Sequence, residues 1–122
     1  EGVCNDFGEN GTYNDIWFDY TAICTGALLV TTCEELGGSA AYDSDLVVYE
    51  GTECPVDNDR LLGCNDDDTN NPCGTVDFHS TVRVPVVAGE SYKIRVGGWG
   101  PGDAGPGELL VQCTASGPPP IL

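Results

Sequence analysis

The sequence predicts an all-β protein built as a sandwich, on three observations. Seventeen glycines and eight prolines divide the chain into short runs of β-branched and aromatic residues, which is the punctuation of strands and turns. No window holds apolar residues at i, i+3, i+4 and i+7 through three turns, so no long helix is expected. Two segments, WFDYTAICTGALLV and VRVPVVAGESYKIRV, share one design: an alternating strand, a small-residue turn with glycine, and a second alternating strand. Two such arches pack as facing layers of a sandwich.

Residues 16–22, IWFDYTA, alternate apolar and polar and predict the first strand. Because neighbours in a strand point to opposite faces, one of Trp17 and Phe18 is expected in the core and the other more exposed. Residues 27–32, ALLVTT, follow the turn Thr25-Gly26, and residues 45–50, DLVVYE, end at Gly51. A longer run, 75–87, TVDFHSTVRVPVV, leads through Ala88-Gly89 into 91–96, SYKIRV, and 108–113, ELLVQC, closes the fold. Segments 34–44, 51–74 and 97–107 are long and polar and predict loops, where binding groups concentrate on a rigid sandwich. The chain thus divides into an N-terminal extension (1–13), a sandwich (14–113) and a Pro-rich tail (114–122).

A length of 122 residues fits one domain with a real core, and 40% apolar content argues against disorder. No run of about 20 apolar residues exists to span a membrane. The start at Glu1, without a signal peptide, fits a mature form whose targeting segment has been removed. Twenty acids against four bases give a net charge of −16. Such a surface repels phosphate backbones and anionic lipid, so nucleic-acid binding is not expected, nor, without an apolar span, is membrane insertion. Cationic partners remain, calcium first among them, although charge of this kind also serves plain solubility.

The seven cysteines are 4, 24, 33, 54, 64, 73 and 113. No C-x2-C pair occurs and there is a single histidine, so a zinc site is not expected. Three disulfides and an odd thiol, in an oxidising compartment, are the natural reading. Sequence proximity favours Cys24–Cys33 and Cys54–Cys64, with Cys4 joined to Cys113 or Cys73; spacing alone leaves the connectivity open.

The densest chemistry lies between Cys54 and Cys73, CPVDNDRLLGCNDDDTNNPC, where two acidic clusters sit among three cysteines. Packed carboxylates repel one another unless solvated or sharing a cation. Asp43 and Asp45, two residues apart in an extended segment, share a face. The alternative reading of these Asp and Asn residues is as turn formers that bond their own backbone. The group Asp57-Asn58-Asp59 reads as solvated loop.

The pieces DIWFDYTAICTGALLVTTC, YDSDLVVYEG, LLGCNDDD, STVRVPVVAGESYKIRVGGWG and GPGELLV, taken in order over residues 14 to 111, resemble the bacterial pre-peptidase C-terminal (PPC) domain family in its cysteine-containing, secreted form. The resemblance implies a jelly-roll-like β-sandwich of about eight strands. It also implies a non-catalytic accessory module, usually appended to secreted hydrolases or surface proteins, some of which bind calcium. The resemblance places the YDSDL strand beside the CNDDD segment, so that Asp43 and Asp45 meet Asn65, Asp66 and Asp67 around one calcium ion. No hydrolase domain accompanies the sandwich, which suggests a stand-alone use.

Catalysis is not expected. His79 and Ser80 are adjacent in a predicted strand and point to opposite faces, so they do not pair. Trp17, Trp99, Tyr13, Tyr42, Tyr49 and Tyr92 are candidate stacking rings for a carbohydrate. Asn10-Gly11-Thr12 is a glycosylation sequon in an early loop. In the tail, Pro118, Pro119 and Pro120 favour extended polyproline geometry and carry the apolar pair Ile121 and Leu122, which calls for a docking surface on the same domain or on the next subunit. Docking on a neighbour is a head-to-tail contact that propagates into a filament. The N-terminal segment offers the same by strand addition to an open sheet edge. The expected function is that of a non-enzymatic secreted subunit of an extracellular or cell-surface homopolymer, stabilised by calcium. The alternative is a stand-alone module that binds carbohydrate or another extracellular polymer.

Overall fold

The computed structural model describes residues 12–54, 56, 58–70, 72–74 and 78–116. Along the chain the strands are β1 (Tyr13–Thr21), β2 (Gly26–Thr31), β3 (Ser39–Ala40), β4 (Ser44–Glu50), β5 (Leu61–Asn65), β6 (Thr81–Val86), β7 (Ser91–Gly98), β8 (Gly107–Glu108) and β9 (Leu110–Ala115). A four-stranded sheet runs β1-β7-β4-β5, a three-stranded sheet runs β6-β2-β9, and β3 pairs with β8 in a short ladder. Every pairing is antiparallel. The fold is an all-β sandwich. Both predicted arches, β1–β2 and β6–β7, step from one sheet to the other, so the same hydrophobic alternation fills both inner faces. The arches are also tied together at their bends, where the Ala22 amide donates to the Glu90 carbonyl and the Gly89 amide to the Ala22 carbonyl.

Register explains the core. In the four-stranded sheet Ile94 stands between Phe18 and Val48, and Val96 between Ile16 and Leu46, so these side chains share the inner face. Of these, Leu46, Val48, Ile94 and Val96 meet Leu28 and Val30 of β2 and Val82, Val84 and Val86 of β6 in one buried cluster. Burying each such side chain stabilises by about 1.5–3 kcal/mol. The outer face of the same sheet is covered as well. Val47, Tyr49 and Arg95 are buried, Trp17 stacks on Tyr49 with ring centroids 5.9 Å apart, and the Arg95 guanidinium lies 4.8 Å from the Trp17 ring. Arg95 also pairs with Asp15 on the neighbouring strand, which compensates the burial of its charge.

Four expectations change. The predicted loop 51–74 contains β5, because Leu61-Leu62-Gly63-Cys64 pairs with β4 and presents backbone rather than an alternating pattern. The run predicted from 75 becomes a strand only at Thr81: residues 75–77 lie outside the described part, and Phe78 takes a positive φ of 54° that breaks an extended path. Strand β9 continues to Ala115, past the predicted start of the tail. Neither Trp17 nor Phe18 is a core residue, at 40% and 43% exposed, because β1 is a sheet edge.

The disulfide expectations are corrected. Cys24 bonds Cys113 and Cys33 bonds Cys73. Cys24 and Cys33 flank the whole of β2, and an extended strand at about 3.3 Å per residue separates them far beyond the roughly 7 Å that a disulfide tolerates. Cys54 is free and exposed, whereas Cys64 is disulfide-bonded, so Cys54–Cys64 does not form. Cys113 and Cys73 are both taken, which removes each partner assigned to Cys4. Cys4 itself, Asn10 and the tail residues Pro118 to Leu122 lie outside the described residues.

Candidate functional site

At one end of the sandwich the start of β4 is held against the end of β5 by a chain of buried hydroxyls. Thr32 Oγ1 lies 2.8 Å from Ser44 Oγ, which lies 2.9 Å from Ser80 Oγ. Ser80 Oγ in turn donates to the backbone carbonyls of Ser44 and Asp66. Asn65 Oδ1 accepts from the Thr81 amide at 2.9 Å, fastening the same corner to β6. Each buried polar atom needs a partner, and the hydroxyls here supply one another.

This corner brings together Asp43, Asp66 and Asp67, whose carboxylate oxygens lie within 4.8 Å of one another. Asp66 is 2% exposed, and Asp43 Oδ1 is buried with no hydrogen-bond donor. The Asp43 carboxyl is pushed up to about 6, first by burial and then by the negative charges of Asp67 and Asp103, with a hydrogen bond to Asp66 acting the other way. Asp103 reaches the site from the loop after β7. The Trp99 amide donates to the Asp43 carbonyl at 3.0 Å, and Asp103 Oδ2 accepts from the Gly100 amide at 2.9 Å. Asn14 Nδ2 pins the loop to β1 by donating to the Pro101 carbonyl at 2.9 Å. Gly98 is required here, because a Cβ at that position would overlap the Asp103 backbone.

Of the five residues predicted to hold calcium, three converge. Asp45 is 2% exposed and accepts from Thr12 Oγ1 at 3.0 Å; Asn65 turns its side-chain oxygen to the Thr81 amide. Neither joins the carboxylate group. Asp103 lies outside that group of three, but its charge acts on Asp43; it was missed because only the β4–β7 register, with Ser44 opposite Gly98, brings its loop over Asp43. A crowded set of hard oxygen donors in a half-buried corner suits calcium rather than a softer metal.

The other candidates are spread apart. His79 Nε2 lies 2.9 Å from the Ala40 carbonyl, and Ser80 is absorbed in the hydroxyl chain, so the two do not form a nucleophile–base pair. Tyr49 and Tyr92 are buried, and Tyr92 Oη accepts from the Val87 amide. These two rings are therefore withdrawn from any carbohydrate. Of the second acidic group, residues 58–60 form a 3-10 turn, in which Arg60 pairs with Glu53 at 3.5 Å.

Beside the carboxylate corner the sandwich is open. A groove of about 300 Å³ runs between β1 and the β8–β9 edge, lined by Ile16, Phe18, Tyr42, Val96, Pro106 and Leu109. Ile16 and Phe18 belong to the inner face by register, yet Ile16 is 58% exposed and Phe18 43%. Tyr42 connects the groove to its chain neighbour Asp43. Among the described residues no helix is long and apolar enough to cross a membrane. Comparison with protein-family models, with curated proteins and with solved structures returns no match.

Proposed function

We propose that this chain is a non-enzymatic extracellular structural protein that associates with copies of itself and takes up calcium at Asp43, Asp66 and Asp67. The observation that carries the assembly reading is the open side of the sandwich. Ile16 and Phe18, in register with core residues, stand in solvent on an edge strand, and an uncovered apolar edge is a surface for another chain. The PPC-like resemblance belongs to the same proposal, as does secretion, which the disulfides seen among the described residues favour. The engagement of His79 and Ser80 in separate backbone contacts supports a non-catalytic role.

Calcium fits this reading for a further reason. Copies carrying −16 each repel when brought into contact, and a divalent ion at a carboxylate cluster lowers that cost. Sedimentation velocity at millimolar calcium and after chelation tests the proposal: association in calcium supports it, and a monomer at all concentrations in both buffers refutes it. A monomer that is retained on a polysaccharide column supports instead the binding-module reading, for which Trp17 and Tyr13, 40% and 37% exposed, are the most exposed of the candidate rings.

A further inference from the structure

We infer that the groove between β1 and the β8–β9 edge receives Ile121 and Leu122 from the Pro-rich segment of a second copy; this rests on the assembly reading above. The groove selects its occupant by polarity and size. Its walls are mainly Ile16, Phe18, Val96, Pro106 and Leu109, with the polar side chains of Thr32, Ser39 and Tyr42 among them and Glu108 as the one charged lining residue among the described residues. A cavity of about 150 Å³ accommodates benzene, so about 300 Å³ has room for two branched aliphatic side chains. A strongly acidic protein repels an acidic occupant. Residues 1–11 carry Glu1, Asp6 and Glu9, whereas residues 114–122, TASGPPPIL, carry no charged side chain and include the aliphatic pair Ile121-Leu122.

The direction of β9 makes the contact intermolecular. The groove lies at the beginning of β9, beside Leu109, where Leu110 stands opposite Thr31. The segment leaves from the other end of the strand, where Ala115 stands opposite Gly26 and the Ser116 amide donates to the Thr25 carbonyl at 3.0 Å. Three consecutive prolines fix φ near −65° and favour an extended rise of about 3.1 Å per residue. Because the chain leaves β9 at the end away from the groove, the segment is assigned to the groove of a neighbouring copy. The donor segment and the acceptor groove are different parts of the chain, so the contact is head-to-tail and repeats without closing. The prolines lack amide donors, so the contact is made chiefly by side chains in the groove rather than by a full strand ladder.

A complementation experiment with the full chain in millimolar calcium tests this. The donor-defective variant is Ile121→Asp with Leu122→Asp; the acceptor-defective variant is Phe18→Asp. Each alone is expected to sediment as a monomer, with a circular dichroism spectrum and Tm close to those of the unaltered chain. An equimolar mixture is expected to give a dimer and nothing larger, because one intact donor and one intact acceptor make a single junction. The inference is overturned if either variant polymerises as the unaltered chain does, or if the mixture stays monomeric while the unaltered chain polymerises. A variant that loses its folded spectrum is replaced by Phe18→Ser or by Leu122→Ser, read in the same way. If the unaltered chain is itself monomeric, the assembly reading falls and this inference with it.

Discussion

The two long sides of this sandwich are finished differently. On the β5–β6 side the sheets are closed tightly: Gly63 of β5 leaves so little room that a Cβ would come within 3.1 Å of Val82 and Val84, and Asn65 fastens the corner to the Thr81 amide. On the β1–β9 side, side chains in the same inward register are exposed, Ile16 at 58% and Phe18 at 43%. The closed side trades side-chain size for close packing, which serves stability. The open side keeps large apolar side chains that the monomer does not bury, and the proposed association rests on them. A face whose register says core and whose exposure says surface is where this protein has chemistry to spare.

The contrast breaks first at β9, the strand that borders the open side. It is held by pairing to β2 and by the Cys24–Cys113 bridge across a separation of 89 residues. Replacing both cysteines by serine is expected to lower stability by about 4–5 kcal/mol in the chain-entropy limit, read by urea denaturation. On the closed side, Gly63→Val is expected to cost about 1–3 kcal/mol through overpacking. On the open side, Phe18→Ser is expected to cost the monomer less than about 1 kcal/mol while removing association. If the two single substitutions destabilise the monomer equally, the distinction between the sides is wrong.

Smaller effects belong to the carboxylate corner next to the open side. Extracellular calcium modules bind with Kd of roughly 10⁻⁴–10⁻³ M, so several millimolar calcium is expected to add about 1–2 kcal/mol, or about 4–8 °C in Tm. Scanning calorimetry with and without chelator checks this, and an unchanged Tm counts against the site. In the absence of calcium the pH dependence follows from Asp43. Its carboxyl ordinarily titrates at 3.8 and in the fold at about 6, so the unfolded chain releases this proton first. The contribution of Asp43 to stability is therefore lost as pH rises through this interval, and its penalty is complete above about 6. Asp43→Asn is expected to flatten that part of the profile, to stabilise the calcium-free protein above pH 6 by less than about 1 kcal/mol because Asp43 is partly solvated, and to abolish the calcium response.

Much of the sandwich was legible because alternation in ALLVTT, STVRVPVV and SYKIRV fixes which residues face inward, whatever sheet they join. The β5 strand was not, because Leu61 to Cys64 lacks alternation and owes its conformation to pairing with β4. The disulfides were misread because nearness in sequence is a poor guide once a strand such as β2 lies between two cysteines. Within the carboxylate corner, Asp43, Asp66 and Asp67 were found from composition and resemblance. Asp103 required the β4–β7 register, and the withdrawal of Asp45 toward Thr12 required knowing which side of β4 the side chain of Thr12 approaches. The exposure of Phe18 was invisible for a simpler reason: a pattern of residues does not say which strand is the edge.

The most direct measurement is sedimentation velocity of the unaltered chain and of Phe18→Asp, side by side, in millimolar calcium. The unaltered chain is expected to form species larger than a dimer and the variant to remain a folded monomer. A monomeric unaltered chain, or a variant that associates equally well, would contradict the claim that the open side is an assembly surface.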